Sequence, residues 1–222
     1  MNNTQCDKYV LPDGRELSIY FFAHASLMFQ WGDTYIYVDP LMQYFDRSVT
    51  LPKADIILIT HSHDDHYDRT AVDMLKKDRT VIISNKQTVQ MYGSGEALDN
   101  YRTTQHCGIT VKAFAAYNTT QGRDVFHPLG RDNGYLLTAD GMRIYISGDT
   151  ETVDESPEID GCDILFLAVN QPYTMTIQQA KYFVDRIQPK IFYPYHTTDT
   201  DMRLLEKEFA NHKSKTIIHS MQ

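Results

Sequence analysis

The chain has 222 residues, 42% of them hydrophobic and 23% charged, with a formal net charge of −8. That length buries roughly 70% of the unfolded surface, predicts one domain over residues 1–222 and removes any need for disulfide staples. The acidic balance argues against a broad nucleic-acid-binding face, and no run of about 18 apolar residues is present to span a membrane.

From the start, Met1 to Val10 is polar and lacks the apolar stretch of a secretory leader. Ser18–Phe22 and Ser26–Gln30 alternate as paired strands, Trp31-Gly32-Asp33 makes a turn, and Thr34–Val38 is a third strand that stops at Asp39-Pro40. Asp55 to Thr60 is a continuous apolar run and predicts a strand buried on both faces. Asp68 or Thr70 can cap a helix reaching about Lys77, and Thr80–Ser84 and Gly108–Ala116 are further strands. Gly93-Ser94-Gly95 is a turn and not a phosphate loop, because no strand–loop–helix with a lysine follows it.

The second half repeats this logic. Tyr135–Thr138, an Asp140-Gly141 turn and Arg143–Ser147 predict a hairpin, and Asp163–Leu167 predicts a buried strand. Thr176-Ile177-Gln178-Gln179 has the form of a capping box, opening a helix whose apolar stripe is Ile177, Ala180, Phe183, Val184 and Ile187. Pro189 ends it, Ile191–Tyr193 leads into Pro194-Tyr195-His196, a helix covers about Asp201 to Asn211, and Thr216–Ile218 is a last strand. Strands, then strands alternating with helices, in two similar halves, predict an α/β fold of sheets packed face to face with helices outside.

Three predicted strands end in metal-type residues: His61-Ser62-His63-Asp64-Asp65-His66, Asp149 in Gly148-Asp149-Thr150, and His196. His61 and His63 are two apart and share a side in extended backbone, while Asp65 and His66 follow the turn and can face a second position. One segment can thus feed two ions about 3.5–4 Å apart, which lower the pKa of a water and polarise a substrate oxygen. Mixed imidazole and carboxylate suit zinc first, with manganese or iron compatible. Cys6, Cys107 and Cys162 are widely spaced and odd in number, which fits a reduced, cytoplasmic protein.

His61 to His66 resembles the His-x-His-x-Asp-His signature of the metallo-β-lactamase superfamily. Gly148-Asp149-Thr150 is similar to its bridging aspartate and His196 to its last histidine ligand, in matching order along Ser18 to His196. His24-Ala25-Ser26, Asp39-Pro40 and Tyr173–Thr176 resemble the branch of small hydrolases similar to the ascorbate-6-phosphate lactonase. The resemblance implies the αββα sandwich and metal ligation by His61, His63, Asp65, His66, Asp149 and His196. It also implies a third histidine from the loop after Ile109–Ala116, where this chain has Tyr117-Asn118-Thr119. Asn118 takes the position most like that ligand, although an amide oxygen binds zinc more weakly than imidazole. His127, on the following loop, is a candidate ligand or proton donor, or else a loop residue or substrate contact.

The expected function is metal-dependent hydrolysis of a small-molecule ester, lactone or phosphodiester, with Asp65 binding metal and orienting the attacking water and His127 as candidate catalytic residue. Two alternatives stand beside it: a nuclease, which the charge disfavours, and a non-catalytic metal- or ligand-binding protein whose first position is eroded at Asn118. His24 either steadies a ligand or packs at the sheet end. Tyr195 is a candidate substrate contact, and His106, His212 and His219 are surface or core residues. The sequence sets no oligomeric state.

Overall fold

The computed structural model describes residues 5–153 and 156–221. The first half of the chain forms one seven-stranded sheet. β1 (Gln5–Val10), β2 (Glu16–Ala23), β3 (Ser26–Trp31) and β4 (Thr34–Val38) are antiparallel in chain order; β5 (Ile56–Ile59), β6 (Val81–Ser84) and β7 (Glu96–Ala97) then add in parallel. The second half builds the other seven-stranded sheet on the same plan. There β8 (Thr103–His106), β9 (Ile109–Ala116), β10 (Asp132–Ala139) and β11 (Met142–Ile146) are antiparallel, and β12 (Ile164–Ala168), β13 (Ile191–Tyr195) and β14 (Lys215–Thr216) are parallel.

Side-chain alternation explains why the parallel strands read as unbroken apolar runs. Ile56 and Leu58 point into the core between the sheets, with Phe29, Val111, Leu137 and Phe166, while Ile57 and Ile59 point outward. Outside the first sheet, α1 (Arg69–Leu75) covers them with Ala71, Val72 and Leu75, and α2 (Lys86–Tyr92) adds Tyr92. Outside the second, α3 (Ile177–Ile187) and α4 (Met202–Phe209) bury Phe183, Val184, Ile187, Leu205 and Phe209 against Leu165, Leu167 and Phe192. The layers are therefore helix, sheet, sheet, helix: the αββα sandwich.

The caps expected from sequence are in place. Asp68 accepts the Thr70 and Ala71 amides, and Thr176 and Gln179 form the reciprocal capping box of α3. Beyond the short strands β7 and β8, which are not among the elements predicted from sequence, two elements differ from expectation. α2 precedes the Gly93 turn, capped by the Asn85 side chain on the Thr88 amide. The polar start contains β1, an edge strand without an apolar run. Both are short and carry little periodicity, so tertiary pairing defines them.

β5 and β13 run parallel to both neighbours and β11 to β12, and all three end at one edge of the sandwich. The loops after them meet across the gap between the sheets, where the Asn133 amide donates to Thr60 O (3.1 Å) and the Tyr135 hydroxyl to Ile59 O (2.8 Å).

Candidate metal centre

The loop after β5 starts extended and then turns, with the His66 and Tyr67 amides both donating to His63 O. His61 Nε2 and His63 Nδ1 consequently lie 3.0 Å apart on one side. His127 joins them, so that one nitrogen from each of the three rings falls within 4.8 Å of the others.

Past the turn, Asp65 and His66 face His196. His66 Nε2 is 3.3 Å from Asp149 Oδ1, and His196 Nε2 is 3.2 Å from Asp149 Oδ2 and 3.8 Å from Asp65 Oδ2. His127 Nε2 is 3.5 Å from Asp149 Oδ2. Asp149 thus lies between a His61–His63–His127 group and an Asp65–His66–His196 group. Ligands at about 2.1 Å from one tetrahedral ion are separated by about 3.4 Å, close to these spacings.

Buried polar atoms normally have partners, and each one left unpaired costs about 1–3 kcal/mol. Here His66 Nε2, His127 Nε2, Asp149 Oδ1 and His196 Nε2 are all buried without one. Their convergence fits divalent cations: soft enough nitrogen donors and hard carboxylates, all turned inward.

The ring orientations have causes. Asp39 is buried at the end of β4 and accepts the Thr60 amide (2.7 Å), the Thr60 hydroxyl (2.8 Å) and His66 Nδ1–H (2.8 Å). Since the Thr60 hydroxyl donates to Asp39, its oxygen accepts from His61 Nδ1–H at 3.0 Å. One carboxylate thereby commits the Nδ1 of both His61 and His66 and turns their Nε2 atoms toward the centre. Asn118 does the same for His127. Its amide nitrogen donates to Tyr173 O (2.7 Å), so its Oδ1 is the acceptor for His127 Nδ1–H at 2.8 Å. Asn118, expected from sequence in the third-ligand position, lies behind His127 with its Oδ1 on His127 Nδ1–H, and the His127 ring is the one grouped with His61 and His63.

The electrostatics agree with ligand duty. Burial pushes His61 well below its ordinary value and His127 down to about 4, so both are neutral near pH 7. Burial raises the Asp149 carboxyl, but His196 and His66 outweigh it and hold it well below the carboxylate range. For Asp65, burial is likewise outweighed, chiefly by the His24 hydrogen bond. Burial disfavours a charged His66, yet Asp149 and Asp39 raise it well above its ordinary value, so ion binding there displaces a proton.

His24 Nε2 lies 3.2 Å from Asp65 Oδ2, its Nδ1 3.0 Å from the Thr198 hydroxyl, and its ring 3.7 Å from that of His196. Asp65 is the open member of the centre, with a side chain 49% exposed. Tyr195 is not at the substrate rim: it is fully buried, and its hydroxyl accepts the Gly148 amide at 2.9 Å. His106, His212 and His219 pair elsewhere with Glu96, Asp185 and Asp7. Asp39 was missed as a support; its signal was a carboxylate directly after a buried strand.

Comparison with known proteins bears on this geometry. The family model described as the beta-lactamase superfamily domain matches residues 18–196. A metal-dependent hydrolase of Ligilactobacillus salivarius is 31% identical over 81% of this chain and 84% of its own length. One from Staphylococcus carnosus is 26% identical over 81% and 85%. The crystal structure of a candidate metal-dependent hydrolase from Parabacteroides distasonis is 44% identical and superposes with a TM-score of 0.93 over 99% of this chain and 100% of that one.

Proposed function

The chain belongs to the metallo-β-lactamase superfamily and is a metal-dependent hydrolase; from that premise we propose that it binds two zinc ions and hydrolyses a small-molecule ester, lactone or phosphodiester. On this reading His61, His63 and His127 hold the first ion, Asp65, His66 and His196 the second, and Asp149 both. The convergence of unpaired buried donors carries the reading. His24-Ala25-Ser26 and Asp39-Pro40 support a place near the lactonase-like hydrolases, and three free cysteines fit the cytoplasm.

When bound, the ions supply a water of lowered pKa and a Lewis-acid contact to the substrate's carbonyl or phosphoryl oxygen. The protein's own groups do the rest. Asp149 keeps its charge between the two histidine groups. Asp39, directly and through Thr60, and Asn118 fix which nitrogen His66, His61 and His127 present. Asp65, open to solvent and held by His24, orients the attacking water and marks the side from which substrate enters. His127, with Nδ1 committed to Asn118 and Nε2 facing Asp149, serves as a ligand and not as a proton donor. The eroded-site alternative rested on Asn118; the His127 ring grouped with His61 and His63 supports the two-ion reading over it. A nuclease remains disfavoured by the charge of −8.

Protein purified without chelators is expected to carry two ions per chain by elemental analysis. Chelation should abolish turnover across an ester, lactone and phosphodiester panel, and re-addition of zinc should restore it. Asp149→Ala should lose both ions. Undiminished turnover by the metal-free protein would refute the reading.

A further inference from the structure

A buried carboxylate outside the ligand set joins Asp149 to the loop that carries His127. The Glu151 side chain is fully buried. Its Oε2 accepts the amides of Thr119 (2.8 Å) and Thr120 (2.7 Å), and its Oε1 accepts from Arg123 Nη1 (2.8 Å). The Glu151 amide donates to Tyr117 O (3.0 Å), and the neighbouring Thr150 hydroxyl accepts the Tyr117 amide (3.0 Å). Tyr117 and Thr119 are thus both tied to the turn that bears Asp149, and Asn118 lies between them.

From Asn118 the restraint passes directly to His127. The Asn118 amide donates to His127 O (2.9 Å), and its side-chain oxygen holds His127 Nδ1. The far side of the loop is held separately, by Arg131 Nη2 on Phe126 O at 2.7 Å. Both Glu151 oxygens are engaged with nitrogen donors, and Glu151 is in none of the groups of described residues whose donors converge on one point. It is therefore no ligand, yet it accounts for how a histidine from an irregular loop reaches a fixed place.

We propose that Glu151 is the positioning residue of the first metal position: it fixes Asn118, and through it the His127 imidazole, against Asp149. The inference rests on the two-ion reading above. The second position does not share this support, because His66 is held by Asp39 and Asp65 by His24. Loss of the oxygen that accepts the Thr119 and Thr120 amides should then empty one position only.

The experiment is elemental analysis of zinc-equilibrated wild type, Glu151→Ala, Glu151→Asp and Glu151→Gln, with the rate of zinc release into a chromogenic chelator and the urea midpoint of each. Wild type should hold two ions. Glu151→Ala should retain one, or release its first ion at least tenfold faster, on the scale seen when the partners of metal ligands are removed. Glu151→Asp, too short to reach the Thr119 and Thr120 amides, should behave alike and serves if the alanine variant does not fold. Glu151→Gln can turn its carbonyl to both amides, giving up only the bond from Arg123, whose Nη1 also donates to Gln171 Oε1, and should keep two ions, a rescue that generalised loosening of the fold would not give. Two ions released at the wild-type rate from folded Glu151→Asp, or both ions lost together, overturns the proposal. Fewer than two ions on wild type overturns the two-ion reading itself and the proposal with it.

Discussion

At the scale of single residues, the cluster was legible because its parts lie within six positions, where the geometry of extended backbone and one turn decides which side chains face together. The sequence leaves open whether Asn118 or His127 stands beside His61 and His63, because the irregular loop between β9 and β10 decides their places and no periodicity encodes it. Asp39 read as a strand stop and as part of a branch resemblance, with no role at the centre, although a carboxylate buried at a strand end must find donors. Its role can be tested by Asp39→Asn. The amide keeps the shape and can still accept the Thr60 amide hydrogen bond, but its nitrogen cannot accept from His66 Nδ1–H while its oxygen faces Thr60. Zinc affinity, measured by competition with a chelator, should fall about 10- to 100-fold with the fold retained. Asn118→Ala should weaken the first ion selectively, whereas a direct ligand role for Asn118 predicts that Asn118→His tightens it.

At the scale of elements, α3 and its capping box were readable in full because propensity, cap and apolar stripe agree. The approach of β10 to the turn after β11 was not, because it depends on two missing side chains. A Cβ on Gly134 would meet Ser147 O at 2.6 Å, and one on Gly148 would meet Asn133 O at 2.6 Å. Gly148 also has φ +61°, a conformation that costs an L-residue about 1–2 kcal/mol. Gly148→Ala should therefore lower the unfolding free energy by more than about 2 kcal/mol and displace Asp149, so that zinc is lost too. Gly122→Ala is the control: its φ is +82° but its Cβ would meet nothing within 4 Å. It should cost only about 1 kcal/mol, read from the urea midpoint, and leave both ions in place.

At the scale of the whole molecule, the two halves noticed in the sequence are the two sheets, and the metal centre stands where their parallel strands end together. The outer face of the second sheet offers an independent probe of this architecture. Cys162 sits there fully buried, in the cluster with Phe183, Val184 and Phe192, and burial pushes its thiol from 9.0 up to about 12. Only about one part in ten thousand is thiolate at pH 8, so iodoacetamide should label exposed Cys107 promptly and reach Cys162 only through unfolding. The same shift sets a sign for stability. The folded thiol holds its proton more tightly than the unfolded one, so the fold keeps its full stability below about pH 9 and loses it progressively as pH rises towards 12. Between pH 8 and 10.5 the loss from this group should be about 2 kcal/mol. Cys162→Ala removes the ionisation and should show that much less decline in unfolding free energy over the same interval. Equal alkaline slopes for the two proteins would place Cys162 outside the helix-covered layer.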